Sequence, residues 1–231
     1  RLADFAAAED LWLHVDGAYG AIFRLVDELK PLLAGMERAD SLALDPHKGL
    51  FLPYGTGALL VRDVTALREA YRTAASYMPG LQDGQTRIDF CEISPELSRA
   101  WRGLRVWLPL KLYGVAAFRR ALREKRELAV LAYERLRSEP DVEIVSPPEL
   151  TLFAFRQRFG GASPQEENRR NRDLLQRINA SRRIMLTGTV VGDTYYCRLC
   201  VLHLRTHRDR IEEALDIIHH ALAAGRSEAR V

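Results

Sequence analysis

The sequence predicts an α/β protein, with a sheet packed under helices in the first half and a smaller α+β unit after it. Three observations predict this. Short apolar runs that end in polar turns recur at residues 11–15, 41–44 and 57–61, with a helix-like segment between the first two. A long amphipathic stretch follows Gly114 and stops before Pro140. Beyond it, strand and helix periodicities alternate to the end of the chain.

The elements are expected in this order. Residues 2–9 read as the end of a helix leading into a buried strand at 11–15, which opens into a loop at Asp16-Gly17. A helix is expected over 22–33. Ser41 to Leu44 gives a second strand, stopped by Asp45-Pro46, and 57–61 a third after the Pro53-Tyr54-Gly55 turn. Residues 77–90 form a polar loop with two glycines and a proline, of a length often used for functional lids. Ser94-Pro95-Glu96 reads as a helix start, with Ser as N-cap and Pro at the first helical position. Leu97, Trp101, Leu104 and Leu108 continue it at helical spacing, and Pro109 is expected to kink it. After Gly114 a long helix should run to about Ser138. Strands at 142–145 and 150–155, a helix at 168–180, a strand at 195–204 and a helix at 208–223 complete the chain. The boundary falls in the helical connector at 108–114, dividing residues 1–110 from 111–231.

Composition sets the broad class. A chain of 231 residues can bury a sizeable core, and 47% hydrophobic with 28% charged residues is ordinary for a globular protein. The formal net charge of +3 comes from 34 basic and 31 acidic residues mixed along the chain, so no field for nucleic acid is implied. The arginine-rich stretches at 119–126 and 169–172 read as solvated helix faces. No run of about 18 apolar residues and no signal-peptide layout point to a membrane. Three cysteines, Cys91, Cys197 and Cys200, suit a reducing compartment better than a disulfide framework, so a cytoplasmic protein is expected. Cys197 and Cys200 have CxxC spacing but lie in an apolar run without a second ligand pair. His203, His207, His219 and His220 show no ligand spacing either, and no metal is expected.

Two segments put reactive side chains just past expected strands, where open α/β sheets bind ligands. One runs His14-Val15-Asp16-Gly17-Ala18-Tyr19-Gly20, the other Asp45-Pro46-His47-Lys48. Taken singly, a lysine after Pro-His reads as a surface turn residue and an aspartate after a strand as a loop cap. Together they are what pyridoxal phosphate chemistry requires. A lysine reaching into a crevice has its amine freed for carbonyl chemistry by desolvation, and a carboxylate from the neighbouring strand can hold a pyridinium proton.

On these segments the chain resembles the group II pyridoxal-5′-phosphate (PLP)-dependent amino-acid decarboxylases, the aromatic-L-amino-acid decarboxylase family. Residues 14–20 look like its HVDAAYGG segment and residues 45–48 like its N/D-P-H-K segment; the likeness continues through the loop at Tyr77 and residues 97–114. The resemblance implies a fold-type-I PLP-dependent transferase-like chain, a partial large domain plus a small α+β C-terminal domain. It implies that Lys48 forms the internal aldimine and that Asp16 pairs with the pyridinium nitrogen, so that the ring can accept the electrons left by a departing carboxylate. Ala18 matches the small residue against one ring face, and His47 the histidine near the cofactor. Asp45 stands where some relatives carry Asn close to the phosphate, and its charge would repel phosphate unless neutralised or turned away. Tyr77 matches a lid tyrosine that protonates the substrate carbon after CO₂ leaves, a step suited to a phenol in a closed, dry site. Relatives with Phe there tend toward aldehyde formation. Ser98, where the family has Gly, lies in a segment that approaches the neighbouring subunit's cofactor.

The resemblance therefore implies decarboxylation of a small-molecule L-amino acid, perhaps aromatic, to the amine and CO₂ in a homodimer. Two other outcomes are compatible with Lys48 and Asp16: another PLP reaction, such as aldehyde synthesis or transamination, or a dimerisation module that kept the fold without the cofactor. Gly49 departs from the bulky aromatic that often follows the lysine and is expected to loosen the pocket floor. Nothing before Leu11 supplies the family's phosphate loop or ring-stacking residue. The chain is accordingly expected to be N-terminally incomplete, with weak or no cofactor binding and no activity alone.

Overall fold

In the computed structural model, residues 1–71 and 90–228 are described. The chain divides into two units, one of Arg1–Arg24 with Leu33–Gly114 and one of Leu25–Leu32 with Val115–Val231.

The first unit opens with α1 (Leu2–Ala8) and β1 (His14–Asp16). The strand is shorter than expected and not buried, with Leu11 and Trp12 both about half exposed. Its entry is fixed by side chains. Asp40 Oδ2 accepts from the Leu13 N–H at 2.7 Å, and Ser41 Oγ accepts from the Trp12 indole N–H at 2.8 Å. The helix expected over 22–33 is replaced by 3₁₀ turns at Ala21–Leu25 and Asp27–Leu33. Pro31 lies inside the second turn, where it lacks the N–H and the space that an α-helical bond to residue i−4 would need.

Then come β2 (Ser41–Leu44), a single turn α2 (Pro46–Gly49), β3 (Ala58–Val61) and α3 (Val64–Tyr71). The sheet order is β1-β2-β3. β1 and β2 are parallel with Asp16 opposite Ala43, and β2 and β3 are antiparallel with Leu42 opposite Leu60. A parallel pair is normally covered on both faces, yet His14, Asp16 and Ala58 to Leu60 are exposed. An apolar run reports strand formation here without reporting burial.

The helix expected from Ser94 begins instead at Gly103, as α4 (Gly103–Arg137). Ser94 does not cap; its hydroxyl donates to the Phe90 carbonyl at 3.0 Å, and the Arg99 guanidinium donates to the carbonyls of Phe90 and Glu96. Arg99 thus binds a carbonyl that a helix would use internally, and Leu97 and Trp101 stay exposed. The break in α4 lies at Gly114, with φ 69° and ψ 156°, and not at Pro109. Positive φ is accessible to glycine without a steric penalty.

The second unit takes up α4 at Val115 and adds β4 (Val142–Ile144), β5 (Leu152–Gln157), α5 (Pro164–Ala180), β6 (Thr187–Val191), β7 (Thr194–Cys200) and α6 (Arg208–Glu228). Its sheet runs β4-β5-β7-β6, antiparallel throughout. α5 starts one turn before the sequence suggests, because Ser163 Oγ accepts from the Glu166 N–H and Pro164 occupies the first helical position. β6 was not anticipated; its signal is the Gly192-Asp193 turn into β7. Phe155, Ile178, Cys197, Ile218 and Leu222 are fully enclosed in one core. Beside it, Asn171 exchanges hydrogen bonds with the Gln157 backbone at 2.8 and 2.9 Å, tying α5 to β5.

Candidate active site

The site grows from the ends of β1 and β2. Asp16 is the last residue of β1, and its Oδ1 accepts from the Ala18 N–H at 3.1 Å, closing the local turn typical of aspartate. Gly17 has no room for a side chain. A β-carbon there would stand 2.5 Å from Ala21 Cβ, 2.8 Å from Leu42 Cδ1 and 2.9 Å from the Ala43 carbonyl oxygen. The turn off β1 therefore lies flat against β2, and the Ala18 carbonyl accepts from the Asp45 N–H at 3.2 Å. The two reactive segments meet through that bond.

From Asp45 the chain makes one helical turn, started by Pro46 at its first position. Gly49 lies against Ile22, where a β-carbon would come within 2.8 Å of two Ile22 carbons. The loosened floor expected at Gly49 is instead a close contact. His47 is held by Thr56, whose carbonyl accepts from its Nδ1 at 2.8 Å, and the Tyr54 ring packs edge-on at 4.8 Å. A carbonyl only accepts, so Nδ1 carries a proton and Nε2 is the free face of the ring. Thr56 is itself buried, with its hydroxyl donating to the Pro53 carbonyl at 2.9 Å. Thr56 and Tyr54 were missed by sequence reasoning, although both sit in the Pro-Tyr-Gly-Thr-Gly turn that signals a tight return to β3.

Lys48 is 42% exposed, so no enclosing crevice surrounds it among the described residues. Its Nζ lies 2.7 Å from Asp45 Oδ2, and His47 Nε2 lies 3.9 Å from the same oxygen. The Asp45 charge is thus paired with the Lys48 ammonium in this structure.

Asp16, Ala18, Asp45, His47 and Lys48 therefore share one end of the parallel pair. Ser98 does not join them: it is exposed in the irregular stretch before α4 and has no hydrogen bond or ion pair to this group among the described residues. Tyr77 lies outside the described residues. In the second unit, Cys197 and Cys200 are an odd number apart on β7 and so point to opposite faces. Burial pushes the Cys197 thiol up to about 12, which keeps it an unreactive thiol at neutral pH. Among the described residues no three His, Cys, Asp or Glu side chains are placed to hold a metal ion.

Comparison with known proteins gives this arrangement its context. The pyridoxal-dependent decarboxylase conserved domain matches residues 1–158. An aromatic-L-amino-acid decarboxylase of Bacillus atrophaeus is 38% identical over 223 residues, covering 94% of this chain and 45% of that relative. The chain thus spans just under half the length of that relative. The crystal structure of Oryza sativa TDC with PLP and tryptamine superposes with a TM-score of 0.88 at 27% identity, over 96% of this chain and 46% of that one. A Rhodiola rosea 4-hydroxyphenylacetaldehyde synthase superposes with a TM-score of 0.86 at 25% identity, over 96% and 45%. The fold is that of the fold-type-I PLP enzymes.

The residues present suit the cofactor at two of its ends. Lys48 supplies a primary amine for the aldehyde. Asp16 supplies a carboxylate whose Oδ2 takes no hydrogen bond among the described residues and is available to a protonated ring nitrogen. With its motif, its fold and this pair of groups in agreement, the chain belongs to the pyridoxal-dependent decarboxylase family, whose cofactor is pyridoxal phosphate.

Proposed function

We propose that this chain serves the PLP-dependent decarboxylation of an L-amino acid, aromatic in class, to the corresponding amine and CO₂, within a homodimer. The observation that carries the reading is the placement of Asp16 at the end of β1 and of Lys48 just past the end of the adjacent parallel β2, the two segments joined by the bond from the Asp45 N–H to the Ala18 carbonyl. The aromatic substrate class is supported by the 38% identical relative named above. Three cysteines that form no disulfide among the described residues suit a reducing compartment, and the reading puts the enzyme in the cytoplasm.

When bound, PLP supplies an electron sink for the bond to the departing carboxylate. The chain's own residues do the rest. Lys48 Nζ would hold the aldehyde end, and Asp16 Oδ2 would keep a proton on the ring nitrogen. Ala18 would leave room beside the ring, and His47 would present Nε2 with its tautomer set by Thr56. Tyr77 would donate the proton that replaces the carboxylate.

The test is direct. Adding PLP to the full-length protein should produce an absorbance band at the edge of the visible range, which Lys48→Ala abolishes. Incubation with L-tryptophan, L-tyrosine and L-phenylalanine should then yield amine and CO₂. The Rhodiola relative gives one specific reason to keep a second product in view. Aldehyde with ammonia and hydrogen peroxide would replace the proposed reaction, and absence of the band would overturn the enzymatic reading.

A further inference from the structure

Asp45 occupies the N-cap position of α2, where an aspartate ordinarily accepts a backbone N–H of the first turn. It makes no such bond. Its carboxylate turns instead along the turn to Lys48 Nζ at 2.7 Å, at i,i+3 spacing, while its own N–H is anchored on the Ala18 carbonyl at 3.2 Å. The aspartate therefore gives up a local backbone contact for an ion pair with the amine that carries the chemistry. His47 Nε2 lies 3.9 Å from the same oxygen and shares its field.

We propose that Asp45 is a positioning residue for Lys48, holding the ammonium against the start of the turn so that carbonyl capture must first break this ion pair. The inference rests on the reading of Lys48 as the aldehyde-capturing amine. An ammonium cannot attack a carbonyl. Nζ must lose a proton to solvent, add to the carbonyl carbon and expel water as the C=N bond forms. While Nζ is held 2.7 Å from Asp45 Oδ2 it is not free to approach the carbonyl, so the ion pair slows that sequence. Asp45 is thus a restraint on cofactor loading, and its role is distinct from that of a phosphate ligand.

The chain has four lysines, Lys30, Lys48, Lys111 and Lys125, which makes the test site-resolved. Lys111 is exposed and Lys125 is fully buried, so they report surface reactivity and unfolding within the same sample. The protein is treated at fixed neutral pH with formaldehyde and cyanoborohydride, and methylation of each lysine is followed by peptide mass spectrometry. Asp45→Asn should raise the Lys48 rate about two- to fivefold, the scale of a partly exposed ion pair, with Lys111 unchanged and Lys125 unmodified. Asp45→Glu, which keeps the charge, should stay within about twofold of the parent. An unchanged or slower Lys48 in Asp45→Asn overturns the proposal. So does an equal rise in Asp45→Glu, or a rise at Lys111 and Lys125 as well, which reports a loosened fold. A parallel series with PLP and borohydride separates the two readings. Acceleration with PLP alone overturns the restraint in favour of phosphate repulsion. Failure of PLP to label Lys48 in the full-length protein and its variants sinks the proposed function, while the formaldehyde series still decides the ion pair.

Discussion

The two units use apolar sequence in opposite ways. In the second, β5 and β7 lie under α5 and α6, and Phe155 and Leu199 are 0% and 4% exposed. In the first, Leu59 and Leu60 on β3 are each 53% exposed and β1 is open at His14 and Asp16. Charges follow the same division. Arg156 and Arg158 clamp Glu143 and Glu167 in a network beside the second core, whereas Lys48 has one local partner three residues away. The candidate site lies in the unit with the more open sheet, so substitution of an exposed side chain there is expected to change function with little effect on folding.

The largest effect expected is functional. Lys48→Ala in the full-length protein should remove the cofactor band and any activity, yet leave the unfolding free energy from urea denaturation within about 0.5 kcal/mol of the parent, because the side chain is exposed. A large loss of stability in that variant would show that the Lys48 side chain contributes to folding. Next, Phe155→Ala should cost about 3–5 kcal/mol by the cavity it opens, whereas Leu60→Ala should cost under about 0.5 kcal/mol; urea denaturation measures both. Equal costs would mean that β3 is covered in the folded protein. Gly17→Ala should cost about 1–3 kcal/mol by overpacking, because two of its three clashes involve atoms of β2. It should also weaken PLP binding by displacing Asp16, which an absorbance titration would detect.

The smallest effect concerns acid stability. Burial alone would raise the Glu143 pKa, but hydrogen bonds from Arg156 and Arg158 outweigh it and bring the group down to about 2. A depressed carboxylate contributes stability that is complete above its unfolded value and is lost as pH falls through the folded one. Glu143→Gln should therefore flatten the loss of stability between about pH 5 and pH 2, by about 1 kcal/mol after screening. An unchanged acid limb in thermal melts from pH 7 to 2 would show the network to be electrostatically neutral to folding.

Much of the site was legible because its signals are local. Asp16-Gly17 and Asp45-Pro46 are turn residues directly after apolar runs, and each marks a real strand end. The helix from Val115 onward and α6 were legible for the same reason, since their apolar spacing repeats over several turns. The failures came where a remote or competing partner decides. Ser94-Pro95-Glu96 carries a good helix-start pattern, but Ser94 and Arg99 bind the Phe90 carbonyl instead. Residues 22–33 carry helical spacing that Pro31 interrupts. Ser98 was placed on a connector helix that begins five residues later.

By itself, the sequence determined which residues end the strands, which family the motifs resemble and that a lysine and an aspartate follow neighbouring strands. These depend on residues adjacent in the chain. Only the tertiary structure decided that β1 runs parallel to β2 with Asp16 opposite Ala43, that Gly17 and Gly49 are close contacts rather than loose ones, and that Asp45 holds Lys48. Register, packing distance and side-chain direction are set by which surfaces meet, and that is information no window of sequence carries.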